Sequence, residues 1–123
     1  MSSTIPYNVK QRAEDRLQIL RLLATDKAVT HGILGKFAPG HRDAEQVLNA
    51  IDDIAIRVQR LPAPDLADTL EALPPEERHA VWRLVGDEKR GHVLLEASDN
   101  VWDDLINDMS DRALLAAIST LDI

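Results

Sequence analysis

The sequence predicts an all-α fold, a right-handed superhelix (solenoid) of short antiparallel helices preceded by two longer ones. Three observations lead there. Hydrophobic residues make up 45% of the 123 residues but aromatics only 3%, so Leu, Ala, Ile and Val must fill the core, a composition that suits packed helices better than a sandwich or barrel. Two stretches before residue 61 carry apolar residues at helical spacing. From Ala63 onward the chain repeats every twelve residues.

Residues 1–8 read as a flexible leader, with Pro6 and Asn8 just before the first periodic segment. Val9, Ala13, Leu17, Leu20 and Ala24 then form one apolar stripe and predict the first long helix. Asp26 is placed to cap a shorter helix ending near Gly32 or Gly35. "GKFAPGHRD" gathers Gly35, Pro39 and Gly40 and marks the clearest break. Ala44, Val47, Leu48, Ile51, Ile54, Ala55 and Val58 predict the second long helix, which Pro62 and Pro64 must end.

The repeat is read in units starting at 63, 75, 87, 99 and 111. The eighth place holds Leu70, Trp82, Leu94, Ile106 and Ile118, and the eleventh Leu73, Val85, Ala97, Met109 and Leu121. The seventh, with Thr69, Val81, Val93, Leu105 and Ala117, is the weakest column by composition. Pro74, Gly86, Ser98 and Ser110 stand between units as stop residues or N-caps. Asp87, Asp99 and Asp111 put negative charge in the first turn, where the helix dipole favours it. Twelve residues hold one helix of about three turns and a tight joint. A lone helix of that length is marginal in water, so each must bury its stripe on neighbours, as in a solenoid. Leu121-Asp122-Ile123 reads as the start of a further unit, so the sequence predicts a fragment of a longer protein.

Charge narrows the function. The net charge is −7, and it is uneven: residues 1–60 hold nine Lys/Arg against seven Asp/Glu, while 61–123 hold five against fourteen. That balance argues against nucleic acid as a partner and suits divalent cations or a basic protein. No stretch approaches the ~20 apolar residues of a membrane span, so direct membrane insertion of this segment is not expected. There is no cysteine, and the four histidines lack metal-ligand spacing, so a zinc site is not indicated. Around Gly35-Lys36 a phosphate loop would need Gly where Thr30 stands and Ser or Thr where Phe37 stands, so the stretch reads as a helix-breaking loop. Trp82 and Trp102 both read as packing residues. Nothing makes a positive case for an enzyme.

In a zigzag of helices alternate joints share an edge. One edge should therefore gather Glu71, Glu76, Glu77, Glu96, Asp99 and Asp122, and clustered carboxylates bind Mg²⁺ or Ca²⁺. The opposite edge is acidic as well (Asp87, Glu88, Asp108, Asp111), and acidic helix starts are also plain dipole partners.

The stretch from Leu61 to Asp122 resembles the N-terminal cytosolic domain of MgtE-type magnesium transporters. The likeness is carried by Pro64-Asp65-Leu66-Ala67-Asp68, Leu73-Pro74-Pro75-Glu76-Glu77-Arg78, Val93-Leu94-Leu95-Glu96 and Ser98-Asp99, in that order and register. Residues 9–60 then form the variable leading helices of one domain running from 9 to 123. The resemblance implies a superhelix of short helices, agreeing with the period. It also implies a longer, homodimeric membrane protein with a CBS domain pair and a transmembrane pore, this domain lying at the cytoplasmic face of the bacterial inner membrane. In such proteins Mg²⁺ bridges acidic residues between the N domain and the CBS pair and favours the closed pore. The resemblance points to Glu96, Asp99 and Asp122 as Mg²⁺ ligands, weak in this piece alone. His92 stands where the family carries an acidic contact, and the family's next acidic pair would lie beyond Ile123. The alternative is a helical-repeat scaffold for protein partners, like the arrays of the flagellar motor switch protein.

Overall fold

The structure is a computed structural model that describes residues 7–36 and 44–121. Among the described residues eight helices follow one another: α1 Val9–Thr25, α2 Lys27–Ile33, α3 Ala44–Arg60, α4 Ala63–Ala72, α5 Pro75–Leu84, α6 Asp87–Glu96, α7 Asp99–Asn107 and α8 Asp111–Ser119. The described residues contain no strand. The predicted all-α class is thus the observed one, and all five repeat units begin helices at the expected residues. Residues 37–43 of the predicted loop lie outside the described residues, and Gly35 before them has a φ of 74°, which favours glycine.

Two of the eight residues expected as a mobile leader are tied down, and the other six lie outside the described residues. Asn8 caps α1: its side chain accepts from Gln11 N–H at 2.9 Å, and its own N–H donates to the Gln11 side chain at 2.9 Å. The Tyr7 hydroxyl donates to the Asp15 carboxylate. Burial, and then that bond, push the Tyr7 hydroxyl up to about 12. Asp26 caps α2 as expected, accepting from Ala28 N–H at 2.9 Å.

The buried face of α1 differs from the expected one. Val9 and Leu17 are exposed, at 69% and 54%, and Asp15, Ile19 and Leu23 turn inward instead. Both sets have helical spacing; the inward one buries Ile19 and Leu23 in the core and adds an electrostatic tie. Asp15, 3% exposed, accepts from Arg57 Nη1 at 2.7 Å and Arg60 Nη2 at 2.9 Å, both on α3. A buried carboxylate is tolerated when so paired, and this one fastens α1 to α3.

The five short helices zigzag, with α4 stacked on α6, α6 on α8, and α7 on α5. The leading helices close the other end, α1 lying on α4 and α2 on α5. Two-residue joints connect α4 to α5, α5 to α6 and α6 to α7. The residue before each helix adopts one conformation: Pro62 (φ −64°, ψ 158°), Pro74 (−60°, 159°), Gly86 (−69°, 153°), Ser98 (−66°, 160°) and Ser110 (−72°, 161°). Proline's ring fixes that φ in advance. Capping by side chains is rarer than expected, since Ser110 accepts from Ala113 N–H at 3.1 Å but Ser98 makes no such bond.

The seventh column, weakest by composition, is the most uniformly buried. Thr69, Val81, Val93, Leu105 and Ala117 are all nearly or fully inaccessible. In the eighth column Leu70, Trp82 and Leu94 are buried, Ile106 is half-buried and Ile118 is exposed. Burial fades along that column because α1–α3 pack beside the first units, whereas the last, α8, packs mainly on α6. The seventh column lies between stacked helices, so size matters less there than fit. Gly91 shows how tight the fit is: a Cβ on it would sit 2.5 Å from the Ala117 carbonyl oxygen and 3.0 Å from Leu121 Cγ.

Two arginines hold consecutive helix ends. Arg78 Nε donates to Leu70 O at 2.8 Å, its Nη2 to Leu73 O at 3.0 Å, and its Nη1 to Asp104 at 2.8 Å. Twelve residues on, Arg90 Nη2 donates to Trp82 O at 3.0 Å, its guanidinium 5.0 Å from the centre of the Trp82 ring. Each guanidinium adds a donor at the C-terminal end of the preceding helix, where positive charge is favoured: Leu70 O and Trp82 O also accept the cap N–H groups of Leu73 and Val85 at 3.3 and 3.2 Å. Arg78 also joins α5 to α7, where His79 Nε2 lies 2.9 Å from Asp104. Desolvation acts to raise the Asp104 carboxyl, but the bonds from His79 and Arg78 prevail and hold it below its ordinary 3.8.

Three outcomes follow. Gly91→Ala should destabilise the chain by roughly 1–3 kcal/mol, the overpacking cost outweighing alanine's helix propensity, which urea denaturation reads directly. Asp15→Asn should cost about 2–4 kcal/mol because Arg60 loses its carboxylate and Arg57 keeps only Asp53, the half-exposed Arg60 keeping the cost below the fully buried limit. The depressed Asp104 contributes stability that is complete above 3.8 and is lost as pH falls through its lower folded value. The gap in unfolding free energy between wild type and Asp104→Asn should therefore close on acidification below that value, and a gap unchanged there would contradict the pairing.

Candidate functional site

Of the edge expected to be acidic, Glu96 lies on α6 and Asp99 across the joint that follows it, and Glu88, expected on the opposite edge, shares a groove with Glu96. Glu88, His92 and Glu96 recur every four residues and so share one face of α6, and all three are exposed. With Ala63 and Pro64 of α4, and with Lys89 and Leu95, they line an open groove of about 490 Å³. A second hollow of about 380 Å³, lined in part by Val58, Val85, Gly86 and Glu88, lies on the other side of Lys89.

Lys89 adds no free cation to this groove. Its Nζ donates to Gln59 O at 2.6 Å, Leu61 O at 2.9 Å and Val58 O at 3.4 Å, all at the C-terminal end of α3. Burial lowers its pKa, and the carbonyls at that helix end accept its charge. The ammonium thus fastens α6 to α3 and leaves the carboxylates beside it facing solvent.

The predicted ligands fare differently. Glu96 is the last residue of α6 and Asp99 the first of α7, so the two-residue joint Ala97-Ser98 brings both to one corner. Both are exposed, and neither has an ion-pair partner among the described residues. Asp122 lies outside the described residues. Among the described residues no three His, Asp or Glu side chains come close enough to enclose a metal ion. Glu76 and Glu77, expected on the same edge, are committed elsewhere. Lys27 reaches Glu77 at 3.3 Å, and Glu76 lies 3.5 Å from His31 and 3.9 Å from Lys27 and Lys36. They hold α2 against α5.

Several features went unread in the sequence. Arg78 and Arg90 share the fourth place of their units, twelve residues apart, and that spacing was the available signal. Trp102 holds the same place in the next unit, and it is 42% exposed instead of packed, whereas Trp82 is fully buried as expected. The ties from Lys89 to Gln59 of α3 and from Asp104 to Arg78 span 30 and 26 residues, and no local pattern announces them.

Among the described residues no helix is long and apolar enough to cross a membrane. In comparisons with known proteins, no curated protein and no solved structure matches this chain. One family match covers residues 61–123, just over half of the chain and the whole repeat array: the MgtE intracellular N domain. That is a family of transporter regulatory domains, not of enzymes. The twelve-residue units, the all-helical array and this match agree, and the chain belongs to the family of MgtE intracellular N domains.

Proposed function

We propose that this domain senses Mg²⁺ for a magnesium transporter, docking on a CBS domain pair of the same protein when the ion bridges their carboxylates and so favouring a closed pore. The observation that carries the reading is the corner at Glu96 and Asp99: two exposed carboxylates without cation partners among the described residues, flanking one short joint. Other acidic residues, such as Glu76, Glu77, Asp65 and Asp104, are tied to basic side chains within the domain. Asp122 is proposed as the third ligand.

Mg²⁺ suits this role because it keeps several waters and accepts one or two carboxylates from each side of an interface. The acidic residues 61–123 repel an acidic partner until the ion neutralises them. When Mg²⁺ falls, that repulsion returns and the undocked state gains population, a ligand-linked shift between two states. Half a coordination shell on each side also implies weak binding by the isolated domain, with millimolar Mg²⁺ needed.

Mg²⁺ titration followed by backbone amide shifts tests this. Saturable shifts should centre on residues 96–99, and NaCl at matched ionic strength should not reproduce them. The double variant Glu96→Gln/Asp99→Asn should lose them and keep its helical content. Shifts spread evenly over both acidic edges, or none at all, would favour a plain protein-binding array.

A further inference from the structure

We propose that the exposed face of α7, built on Trp102 with Asp99 and Asp103, is a docking surface for an arginine-bearing segment of a partner protein. This goes beyond the Mg²⁺ reading and does not rest on it, although Asp99 is common to both.

The argument starts from the repeat. In the second and third units the fourth place holds Arg78 and Arg90, each folded back onto the carbonyls of the preceding helix. In the fourth unit that place holds Trp102, which has a single N–H donor and no charge to bring to the end of α6. Nor does the core need this ring. Val101 and Leu105 bury the inner face of α7, while Trp102 stays 42% exposed. A large rigid aromatic is unusual on a surface and is enriched at the centres of protein interfaces.

The chemistry of the partner follows from the neighbours. Helical spacing puts Asp99 one turn before Trp102 and also one turn before Asp103. Both carboxylates are exposed, and neither pairs with a cation among the described residues. Asp104, on the adjoining face, is already taken by Arg78 and His79. The sequence of α7, Asp99–Asn107, contains no Lys or Arg. An indole face bordered by unpaired carboxylates is complementary to a guanidinium, which stacks on the ring and donates its planar fork to a carboxylate. The domain already makes the stacked half of this arrangement internally, where Arg90 lies over Trp82. Hydrated Mg²⁺ would use the carboxylates but gain nothing from the ring.

The test titrates the chain with a capped tri-arginine peptide, a capped tri-lysine peptide and MgCl₂ at equal ionic strength, following amide and indole N–H resonances. Tri-arginine should give saturable shifts centred on residues 99–106 and on the Trp102 indole. Trp102→Leu should weaken tri-arginine binding two- to fivefold, the range of an exposed cation–π contact, and leave tri-lysine binding nearly unchanged. Asp103→Asn should weaken both peptides. The proposal fails if tri-arginine does not bind, if Asp87, Glu88 and Asp111 respond as strongly as α7, or if Trp102→Leu has no effect. It fails equally if Mg²⁺ moves the indole resonance as far as the peptide does. Shifts in α7 that grow with protein concentration alone would assign the face to a second copy of the chain and overturn the proposal too.

Discussion

The stacking of every second helix through the seventh place of the repeat is the constraint on which the rest depends. Each short helix is about 14–15 Å long, too short to be stable alone. Its stability must come from neighbours: α6 lies between α4 and α8, while α4 and α5 also pack on each other and on the leading helices. Val93 in α6, Thr69 in α4 and Ala117 in α8 are all buried, and α6 packs on both α4 and α8. The stack sets the length of each helix and joint, because one extra residue would rotate the next stripe by about 100° out of the contact. Gly91 marks where the approach is closest, with the α8 backbone in the space a side chain would need.

Polar side chains finish what the stack leaves open. Short helices have many end groups for their length, and two-residue joints leave little room for water to satisfy them. Arg78 and Arg90 serve the carbonyl ends of α4 and α5, and Lys89 serves that of α3. Three of the array's five positive charges, Arg78, Lys89 and Arg90, are thereby committed to helix ends, while Arg83, Arg112 and several carboxylates remain exposed. The acidic surface on which Mg²⁺ sensing would depend is thus a by-product of how the array is tied together. The leading helices follow the same economy: Lys27, His31 and Lys36 draw Glu76 and Glu77 away from the edge.

What could be read in the sequence was what repeats locally. The helix starts at 63, 75, 87, 99 and 111 were legible because apolar columns and stop residues recur in step, and proline's fixed φ matches the conformation that every joint shares. The inward face of α1 was not. Its two candidate stripes are equally periodic, and the one that turns inward carries Asp15 beside Ile19 and Leu23, its carboxylate met by Arg57 and Arg60 from 42 and 45 residues away. Trp102 was misread by extending the apolar column to a unit whose outer side nothing described covers. Of the candidate site, the exposure of Glu96 and Asp99 was legible from their place at helix ends. The loss of Glu76 and Glu77 to α2 was not, since their partners lie some fifty residues earlier.

The central claim is that the corner between α6 and α7 holds a divalent ion in preference to the other acidic runs. Mn²⁺ takes similar oxygen ligands and broadens the resonances of nearby amides, so it reports where the ion resides. At sub-stoichiometric Mn²⁺ the account predicts broadening centred on residues 96–99, reversed by excess Mg²⁺ and absent in Glu96→Gln/Asp99→Asn. Broadening centred on Asp87 and Glu88 or on Asp108 and Asp111, or spread evenly over the acidic surface, would contradict it.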